Sequence, residues 1–574
     1  MLSRRDSRVV PGARQGRLVR RARAGAEARL LTLCQEAWEF VLECDPIEAS
    51  AVGGGSHDAR LPNIAPDALD AAIARARQLL THARAIPLDE LSSRGRVTRT
   101  VLIAQLEAVI DRAELREHAW LVDPIWGPQI WLPHLGRTTQ LRTVEDTARY
   151  IARLQSVGPY LDQHVANLRQ GAAQGLIAPS THITRVIRQI DELLAIPLEC
   201  DALVVADLSH AAKNVVRAVV RPALARYREF LAKELLPRGR LAFGLGALPG
   251  GGAMYDAQVR RHTTQTMTAA QLMECGTREL ERVLHETRAL VARLLPGKDF
   301  DNVRRILGQP PYVFSTRDAV ENAARAAIDR ARGRLAAAFR QMPVAPLDIA
   351  RIQPHAESDA PDGFYQPADR DKTRSAVYYV NTHRPETRAR YTAEALAFHE
   401  AIPGHHLQIA FAYDLEDVPD IQRHAAPLGF LEGWAVYAER LADELDLYSG
   451  EIDRLGMMAL DLWRTARLVV DPAIHVLGWD RDRAVAFLLA NTLTTSECAA
   501  RDVDRYACWP AQGLAYKVGQ LTILELRAET QRRLGARFDV REFHEQVLGN
   551  GAVPLGVLKD EIDRFCRSKQ ESTP

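Results

Sequence analysis

The sequence contains no run of about 18 apolar residues, no closely spaced pair of cysteines and almost no excess of charge. A helix that crosses a bilayer needs such an apolar run, so no transmembrane segment is predicted. The seven cysteines are scattered and none forms a CxxC pair, which favours reduced thiols in the cytoplasm over a disulfide framework. A net charge of +1 produces no strong overall attraction to nucleic acid or to an acidic membrane, so neither is expected as a partner.

The N-terminus also lacks the pattern of a secretory signal, although it is strongly basic. Eight arginines precede residue 24, and no apolar run of about 7 to 15 residues follows them. Residues 1–24 are therefore predicted to form a basic, disordered tail. Together with the cysteine pattern, this predicts a cytoplasmic protein.

The rest of the chain has the periodicity and composition of a mainly α protein. Helices are predicted at 27–43, 66–86, 99–119 and 266–295, the last with Thr266 or Thr268 as its N-cap. The segment SAVYYVNT (375–382) predicts a short strand just before the helix that carries His399. Gly and Pro cluster at 241–256 and 348–372, which predicts a hinge loop and a second break. We divide the chain into an N-terminal helical region, 25–240, and a helical catalytic region, 241–574.

The stretch FHEAIPGHHLQIA (398–410) begins like the HExxH motif of zinc peptidases, but Pro403 stands where the second histidine belongs. On a regular helix His405 lies six residues beyond His399, at about −120° around the axis, and His406 lies about 10.5 Å along it. A bulged turn at Ile402-Pro403-Gly404 would absorb the two extra residues and bring His405 to the metal. We favour His405 as the ligand and leave His406 open as an alternative, or as a contact to substrate or to a neighbouring carboxylate.

A third ligand is predicted in FLEGWAVYAERLADELDLY (430–448), which has the pattern of an amphipathic helix. Zinc hydrolases hold the ion with three protein ligands and leave the fourth position to water. Glu432 is the expected ligand, and Gly433 after it permits another helix to approach closely. Glu439 lies two turns further on and is expected to support the site or face solvent. Glu400 is placed to accept a proton from the metal-bound water.

These motifs together resemble the DUF885 family of bacterial proteins, which is grouped with the gluzincin-type zinc peptidases. The segments that carry the resemblance are HEAIPGHHLQ, FLEGWAVYAERL, YDAQVRRHTTQTMTAAQL, SAVYYVNTHRPE, RTARLVVDPAIHVLGWDRDRAVAFL, LAYKVGQLTILELR and LECDPIEASAVG. The resemblance covers nearly the whole chain. It implies a two-lobed helical zincin-like metallopeptidase fold, with a short β-element beside the active-site helix, a deep central cleft and the zinc site within 399–439. The chain departs from the family in WPAQGLAYKVG (509–519), where a glycine has moved.

Several further residues are candidates for the site. Tyr516 is predicted to donate to the oxyanion of the tetrahedral intermediate. The cations Arg467 and Lys517 would bind a substrate carboxylate or else form structural ion pairs. The remaining candidates, which have core packing as their alternative, are Tyr378, Tyr379 and Asn381 on a presumed edge strand, and His475 and His262 in family-like segments.

The sequence therefore predicts a zinc-dependent hydrolase, with one Zn²⁺ per chain, that cleaves amide bonds in short peptides. Fe, Co or Mn would suit the same ligands. One alternative is a tailoring enzyme that acts on a small-molecule amide or a peptide-like metabolite. Another is a non-catalytic helical scaffold with a structural metal, against which the presence of Glu400 argues. Exo- or endopeptidase action and oligomeric state are left open.

Overall fold

The computed structural model of the chain describes residues 11–52, 55–138, 141, 143–204, 209–342, 345–353, 357, 360–368 and 375–571. Helices account for 72% of the residues and strands for 3%, so the predicted mainly α class is confirmed. No described helix is both long enough and apolar enough to cross a membrane.

Helices α1 to α12 precede residue 240. They are α1 (Pro11–Cys44), α2 (Pro46–Ala51), α3 (Pro66–Ala85), α4 (Ser93–Glu114), α5 (Glu117–Trp120), α6 (Pro128–Trp131), α7 (Leu135–Thr138), α8 (Val144–Gln155), α9 (Val157–Ala173), α10 (Ser180–Ala195), α11 (Ser209–Val215) and α12 (Arg221–Phe230). Single π-helical turns at Val216–Val220 and Leu231–Leu235 flank α12.

Helices α13 to α26 follow. They are α13 (Gly251–Thr263), α14 (Ala269–Leu294), α15 (Phe300–Leu307), α16 (Arg317–Arg332), α17 (Ala393–Glu400), α18 (His405–Tyr413), α19 (Asp420–Arg423), α20 (Leu428–Glu444), α21 (Glu451–His475), α22 (Arg481–Asn491), α23 (Ser496–Cys508), α24 (Leu514–Leu534), α25 (Val540–Leu548) and α26 (Leu555–Glu571). Short 3-10 turns lie at Gly55–His57, Leu88–Glu90, Leu132–His134, Leu198–Cys200, Leu236–Arg238, Leu245–Ala247, Leu335–Ala337, Pro385–Thr387, Arg390–Thr392 and Gly535–Arg537.

The helices predicted from periodicity lie in α1, α3, α4 with α5, and α14. Thr268 is the N-cap of α14: its hydroxyl accepts from the backbone N–H of Gln271, whose side chain accepts from the N–H of Thr268 in return. Within the predicted tail, 1–24, α1 begins at Pro11, and residues 1–10 lie outside the described part. The predicted hinge at 241–256 is shorter than expected, because α13 begins at Gly251.

A small sheet stands before the α17 helix. Its strands are β1 (Leu347–Arg351), β2 (Gly363–Gln366) and β3 (Ala376–Val380), in the order β1-β3-β2. β3 pairs with β1 in parallel and with β2 in antiparallel orientation. The predicted strand is therefore confirmed, but its placement at an edge is wrong. The break predicted at 348–372 contains most of β1 and all of β2, because strands of four or five residues among Gly and Pro show too little alternation to stand out.

Buried side chains form four clusters. One lies entirely within 61–235 and another within 243–507, on either side of the predicted boundary at 240. A third joins residues 26–110 to Ile421. The cluster around Phe398 and Trp434 also contains Val97 and Trp120 from the N-terminal region. The core beneath the candidate site is thus built from both regions of the chain.

Candidate metal centre

The three predicted ligands lie on three different helices. α17 ends at Glu400 and α18 begins at His405, so the predicted bulge within one continuous helix is wrong. The chain leaves the first helix, passes through residues 401–404 with a cis Ile402–Pro403 peptide bond, and starts a second helix. Because proline has no backbone N–H to donate, it favours a break in the helix over a continued series of helical hydrogen bonds.

Gly404 and Trp434 fit this break tightly. A Cβ atom on residue 404 would overlap the carbonyl oxygen of His399, so glycine is needed there. The indole N–H of Trp434 donates to the carbonyl oxygen of Pro403 at 2.9 Å. As a result the rings of His399 and His405 lie 4.8 Å apart, with their planes at 85°.

His399, His405 and Glu432 bring one donor atom each to a common point. Oε2 of Glu432 lies 3.5 Å from Nε2 of His399 and 3.5 Å from Nε2 of His405. All three donor atoms lie within 4.8 Å of one another. Tetrahedral zinc with bonds of about 2.0–2.1 Å places its ligand atoms roughly 3.4 Å apart, so the two shorter separations match. The structure thus brings together the three residues that the sequence predicts as ligands.

Glu432 is carried on α20, which packs closely against α24. Gly433 of α20 lies against Gly519 of α24, and a Cβ atom on either residue would overlap the backbone of the other helix. The predicted role of Gly433 in close helix approach is confirmed, and the neighbouring helix is α24.

Glu439 supports the cluster from behind. The Nδ1–H of His399 donates to Oε1 of Glu439 at 2.7 Å, which leaves Nε2 to face the cluster. The second carboxylate oxygen accepts from Nη1 of Arg464 at 2.8 Å. Only 1% of the Glu439 side chain is exposed, so Glu439 does not face solvent, and its support of the site stays a prediction that the contact to His399 favours. Arg464 was missed, since nothing near it in sequence signals a partner 25 residues away.

The cluster has the electrostatics of a cation site. Burial acts to lower the pKa of His399, but hydrogen bonds with Glu432 and Glu439 outweigh it and raise that pKa to about 9. Burial acts to raise the pKa of Glu432, yet the hydrogen bonds of His399 and His405 hold it well below its usual range. Oε2 of Glu432 is buried, and its contacts to the two imidazoles are long, at 3.5 Å each. Two imidazoles and a carboxylate in this arrangement fit a divalent ion, which displaces protons when it binds.

Glu400 follows His399 directly and is half-buried beside the cluster. Its Oε2 accepts from the backbone N–H of Tyr365 on β2 at 2.9 Å. Burial raises the pKa of the Glu400 carboxyl, while the neighbouring His399 and His405 oppose that rise. Tyr365 was not predicted, because β2 lies in the Gly/Pro-rich segment.

His406, the alternative ligand, points away from the cluster. Its Nδ1 accepts from the hydroxyl of Tyr365 at 3.2 Å, and its other ring nitrogen faces the carbonyl of Ala345. Burial lowers the pKa of His406 to about 4. With both nitrogens engaged, His406 is placed to hold β2 against α18, not to bind an ion with His399.

Tyr516 lies beside the cluster, as predicted. Its ring stacks on that of His399, with centroids 6.3 Å apart and planes at 14°. Burial raises the pKa of Tyr516 and the charge of Glu432 adds to the rise, whereas Arg505 and Arg467 oppose it. Cζ of Arg467 lies 4.8 Å from the centre of the Tyr516 ring. Arg467 is thus close to the site, and Arg505 was not predicted.

Lys517 and His475 have structural partners instead of site contacts. Nζ of Lys517 donates to Asp461 at 2.7 Å and is fully buried, which is the structural ion pair given as its alternative. Nδ1 of His475 accepts from the N–H of Leu245, and its Nε2 donates to the carbonyl of Tyr506. His262 lies half-buried in α13, and desolvation lowers its pKa to about 3.

The candidates on the strand divide between the two faces of β3. Tyr378 is buried in the core and Tyr379 is half-exposed, stacked on Phe364 at 5.0 Å. Asn381 lies just beyond the strand, and its amide donates to the carbonyls of Glu357, Ala360 and Pro361. Since β3 is the central strand, its backbone pairs with β1 and β2 and is not open to an extended peptide. The prediction that Tyr378, Tyr379 and Asn381 contact substrate assumed an edge strand, and this assumption is wrong.

The two cavities described in the structure lie elsewhere. The larger, of about 550 Å³, is lined by Thr181 and by residues 241–244, 246–247 and 474–482. Neither cavity includes a residue of the His399, His405 and Glu432 cluster.

Comparison with known proteins gives a family and several structures of similar fold, two of which are described here. The sequence profile of the family described as "Bacterial protein of unknown function (DUF885)" matches residues 46–562. A structure described as the "putative lipoprotein from Colwellia psychrerythraea" is similar at a TM-score of 0.89 and 23% identity, over 95% of this chain and 100% of that one. A "putative lipoprotein of unknown function from Shewanella oneidensis" is similar at a TM-score of 0.72 and 18% identity, over 92% and 99%. No curated protein matches the chain. At these identities the likeness shows a shared fold.

Proposed function

The chain belongs to the DUF885 family of bacterial proteins, and from this premise we propose that it is a zinc-dependent hydrolase that cleaves amide bonds in short peptides. The observation that carries the proposal is the convergence of His399, His405 and Glu432 beside the carboxyl group of Glu400. A structural zinc site has four protein ligands and no need of a base, whereas a catalytic site has three and an open position. The proposal includes a zincin-like arrangement of α17, α18 and α20 around one ion, in a cleft that admits short peptides.

In this proposal Zn²⁺, held by His399, His405 and Glu432, would supply a Lewis acid that polarises a carbonyl and lowers the pKa of water. Glu400 would act as the general base for the attacking water and as the general acid for the leaving amine. The hydrogen bond from the Tyr365 N–H fixes one carboxylate oxygen of Glu400, which leaves the other free to take the proton. Burial raises the pKa of the Glu400 carboxyl, which is the direction that a general base requires.

Tyr516 is proposed to donate a hydrogen bond to the oxyanion. Its ring stacks on that of His399, and its hydroxyl lies close enough to Glu432 for the charge of that carboxylate to raise its pKa. Because burial raises its pKa, Tyr516 stays protonated near neutral pH and keeps the proton that it must donate.

The direct test is Glu400→Gln, which removes the base while Tyr365 retains an amide oxygen to donate to. We expect the variant to keep one metal ion per chain and to lose peptide hydrolysis by a factor of about 10² to 10⁴. The measurement is the release of new amino groups from a library of short peptides, with metal content measured on the same samples. A variant that hydrolyses as fast as the wild type would exclude Glu400 as the base, and a wild type that is inactive with zinc bound would exclude the function.

The cytoplasmic location predicted from the sequence remains a proposal. All seven cysteines are free thiols in the structure, which agrees with a reducing compartment. The description of two proteins of the same fold as lipoproteins favours the cell envelope instead. Fractionation of bacteria that express the chain at its native level distinguishes the two locations.

A further inference from the structure

Two guanidinium groups beside Tyr516, one buried and one partly exposed, have no carboxylate partner. Neither Arg467 nor Arg505 has a carboxylate oxygen within 4.0 Å among the described residues. Only 1% of Arg467 is exposed, and its Nη1 has no hydrogen-bond partner. Nε of Arg505 is also buried without a partner, while its Nη2 donates to the amide oxygen of Gln512 at 2.5 Å. A buried charge without a counter-charge is costly, so each such group needs an explanation.

Other buried cations near the site are all paired. Arg464 donates to Glu439, and Arg440 donates to Asp461 and Glu286. Lys517 also donates to Asp461. Arg467 and Arg505 bond only to neutral groups among the described residues, and the absence of a carboxylate partner distinguishes them from neighbouring cations on α20, α21 and α24.

Two buried acids near the arginines form no ion pair with them. Asp471 accepts from the Tyr255 hydroxyl at 2.7 Å, and Asp502 accepts from the Trp463 indole at 2.5 Å. The charges of both acids reach the two arginines only at longer range.

Arg467 is held rigidly in this position. Its Cζ lies 3.9 Å from the centre of the Trp463 ring, and its Nε donates to the hydroxyl of Tyr506 at 3.2 Å. Tyr516, which Arg467 also contacts, stacks on His399. Arg505, Tyr516 and Glu432 are each partly exposed, so a substrate at the metal cluster can reach Arg505, while Arg467 is buried against the same Tyr516 ring.

We propose that Arg467 and Arg505 bind the free C-terminal carboxylate of the substrate, so that the enzyme acts as a carboxypeptidase on short peptides. This rests on the hydrolase function proposed above. The ring of Tyr516 lies 6.3 Å from that of His399 and 4.8 Å from Cζ of Arg467, so at most about three extended residues of about 3.5 Å span the distance between them. The scissile C–N bond is therefore close to the C-terminus. Its hydrolysis adds the OH of one water to the acyl carbon and the remaining hydrogen to the amine.

The test compares one peptide in two forms, with a free C-terminal carboxylate and with a C-terminal amide. We expect the wild-type, zinc-loaded protein to cleave the acid with a kcat/KM at least about tenfold higher than the amide, because charge-assisted hydrogen bonds are lost with the amide. Mass spectrometry should show release of one or two C-terminal residues. Equal cleavage of both forms would overturn carboxylate recognition and leave the hydrolase standing. Cleavage of neither form would overturn the hydrolase and this inference with it.

Variants assign the effect to the two arginines. In Arg505→Gln and Arg467→Gln the acid-to-amide ratio should fall toward one, mainly through a higher KM for the acid. Arg440→Gln is the matched control, since it also removes a buried guanidinium but lies in a paired network with Asp461 and Glu286. It should keep the wild-type ratio. A ratio that survives both substitutions would show that the carboxylate binds elsewhere.

Discussion

At the scale of single residues, Glu439 links the metal cluster to the protein interior. One carboxylate oxygen accepts from His399 and the other from Arg464, and both partners are buried. The contact to His399 fixes which ring nitrogen faces the ion. The contact to Arg464 gives that buried guanidinium group a counter-charge, which it needs because water cannot solvate it.

Glu439→Gln is expected to weaken zinc binding and to destabilise the folded protein. The neutral amide is a poorer acceptor for His399, so the affinity for zinc should fall about 10- to 100-fold. Arg464 loses its counter-charge, which should lower the free energy of unfolding of the apoprotein by about 3–5 kcal/mol. Competition with a chromophoric chelator measures the first and urea unfolding the second.

Glu444→Gln provides the control on the same helix. Glu444 pairs with Arg527 and its side chain is 46% exposed, so its loss should cost about 0–1 kcal/mol and leave zinc affinity at the wild-type value. If Glu439→Gln binds zinc as tightly as this control, Glu439 has no role in the site.

The residues of the cluster were predictable because each stands in a short motif. His399, His405 and Glu432 follow from two segments whose spacing the sequence displays. Tyr365, Arg464 and Arg505 were not predictable, since their importance depends on contacts between segments far apart in the chain.

At the scale of elements, the site depends on the break between α17 and α18. The sequence indicates that Pro403 and Gly404 disturb the helix, but not whether the helix bulges or ends. Tertiary contacts decide whether the helix bulges or ends. The indole of Trp434 donates to the carbonyl oxygen of Pro403, and Gly404 lies close against the carbonyl oxygen of His399. The strands β1 and β2 were not predicted for a similar reason. They are strands because they pair with β3, and their own sequences show no strand pattern.

Gly404→Ala should damage both the fold and the site. The added methyl group overlaps the backbone at His399, so the turn must shift and carry His405 with it. We expect a loss of about 1–3 kcal/mol in the free energy of unfolding, as for other overpacked sites, together with loss of zinc binding.

Gly252→Ala is the matched control for this change. Gly252 lies in α13 with no neighbouring atom within 4 Å of the added methyl group. The substitution should leave zinc binding intact and stabilise the protein by up to about 1 kcal/mol, because alanine favours the helix. If Gly404→Ala behaves like Gly252→Ala, the tight turn does not set the position of His405.

At the scale of the whole molecule, the two predicted regions share a core. Val97, Val101, Ala119 and Trp120 belong to the same buried cluster as Phe398 and Trp434. A boundary at 240 is visible in the Gly/Pro-rich sequence, and two of the other buried clusters lie on either side of it. No local sequence pattern reveals that the first region also contributes to the core beneath the site.

We therefore expect residues 241–574 expressed alone to lack a cooperative thermal unfolding transition and to bind no zinc. The removed segment leaves the apolar side chains of this shared core exposed to water. Circular dichroism and metal content measure both properties. A fragment that melts cooperatively and binds zinc would show that the second region folds independently.

The central claim, that His399, His405 and Glu432 hold one catalytic zinc ion, is tested most directly by metal content. Mass spectrometry on the purified chain after reconstitution with zinc should find one zinc per wild-type chain, none in Glu432→Ala and one in His406→Ala. His406 is the matched control because both of its ring nitrogens contact other groups. No zinc in the wild type, or a loss of zinc in His406→Ala and not in Glu432→Ala, would contradict the account.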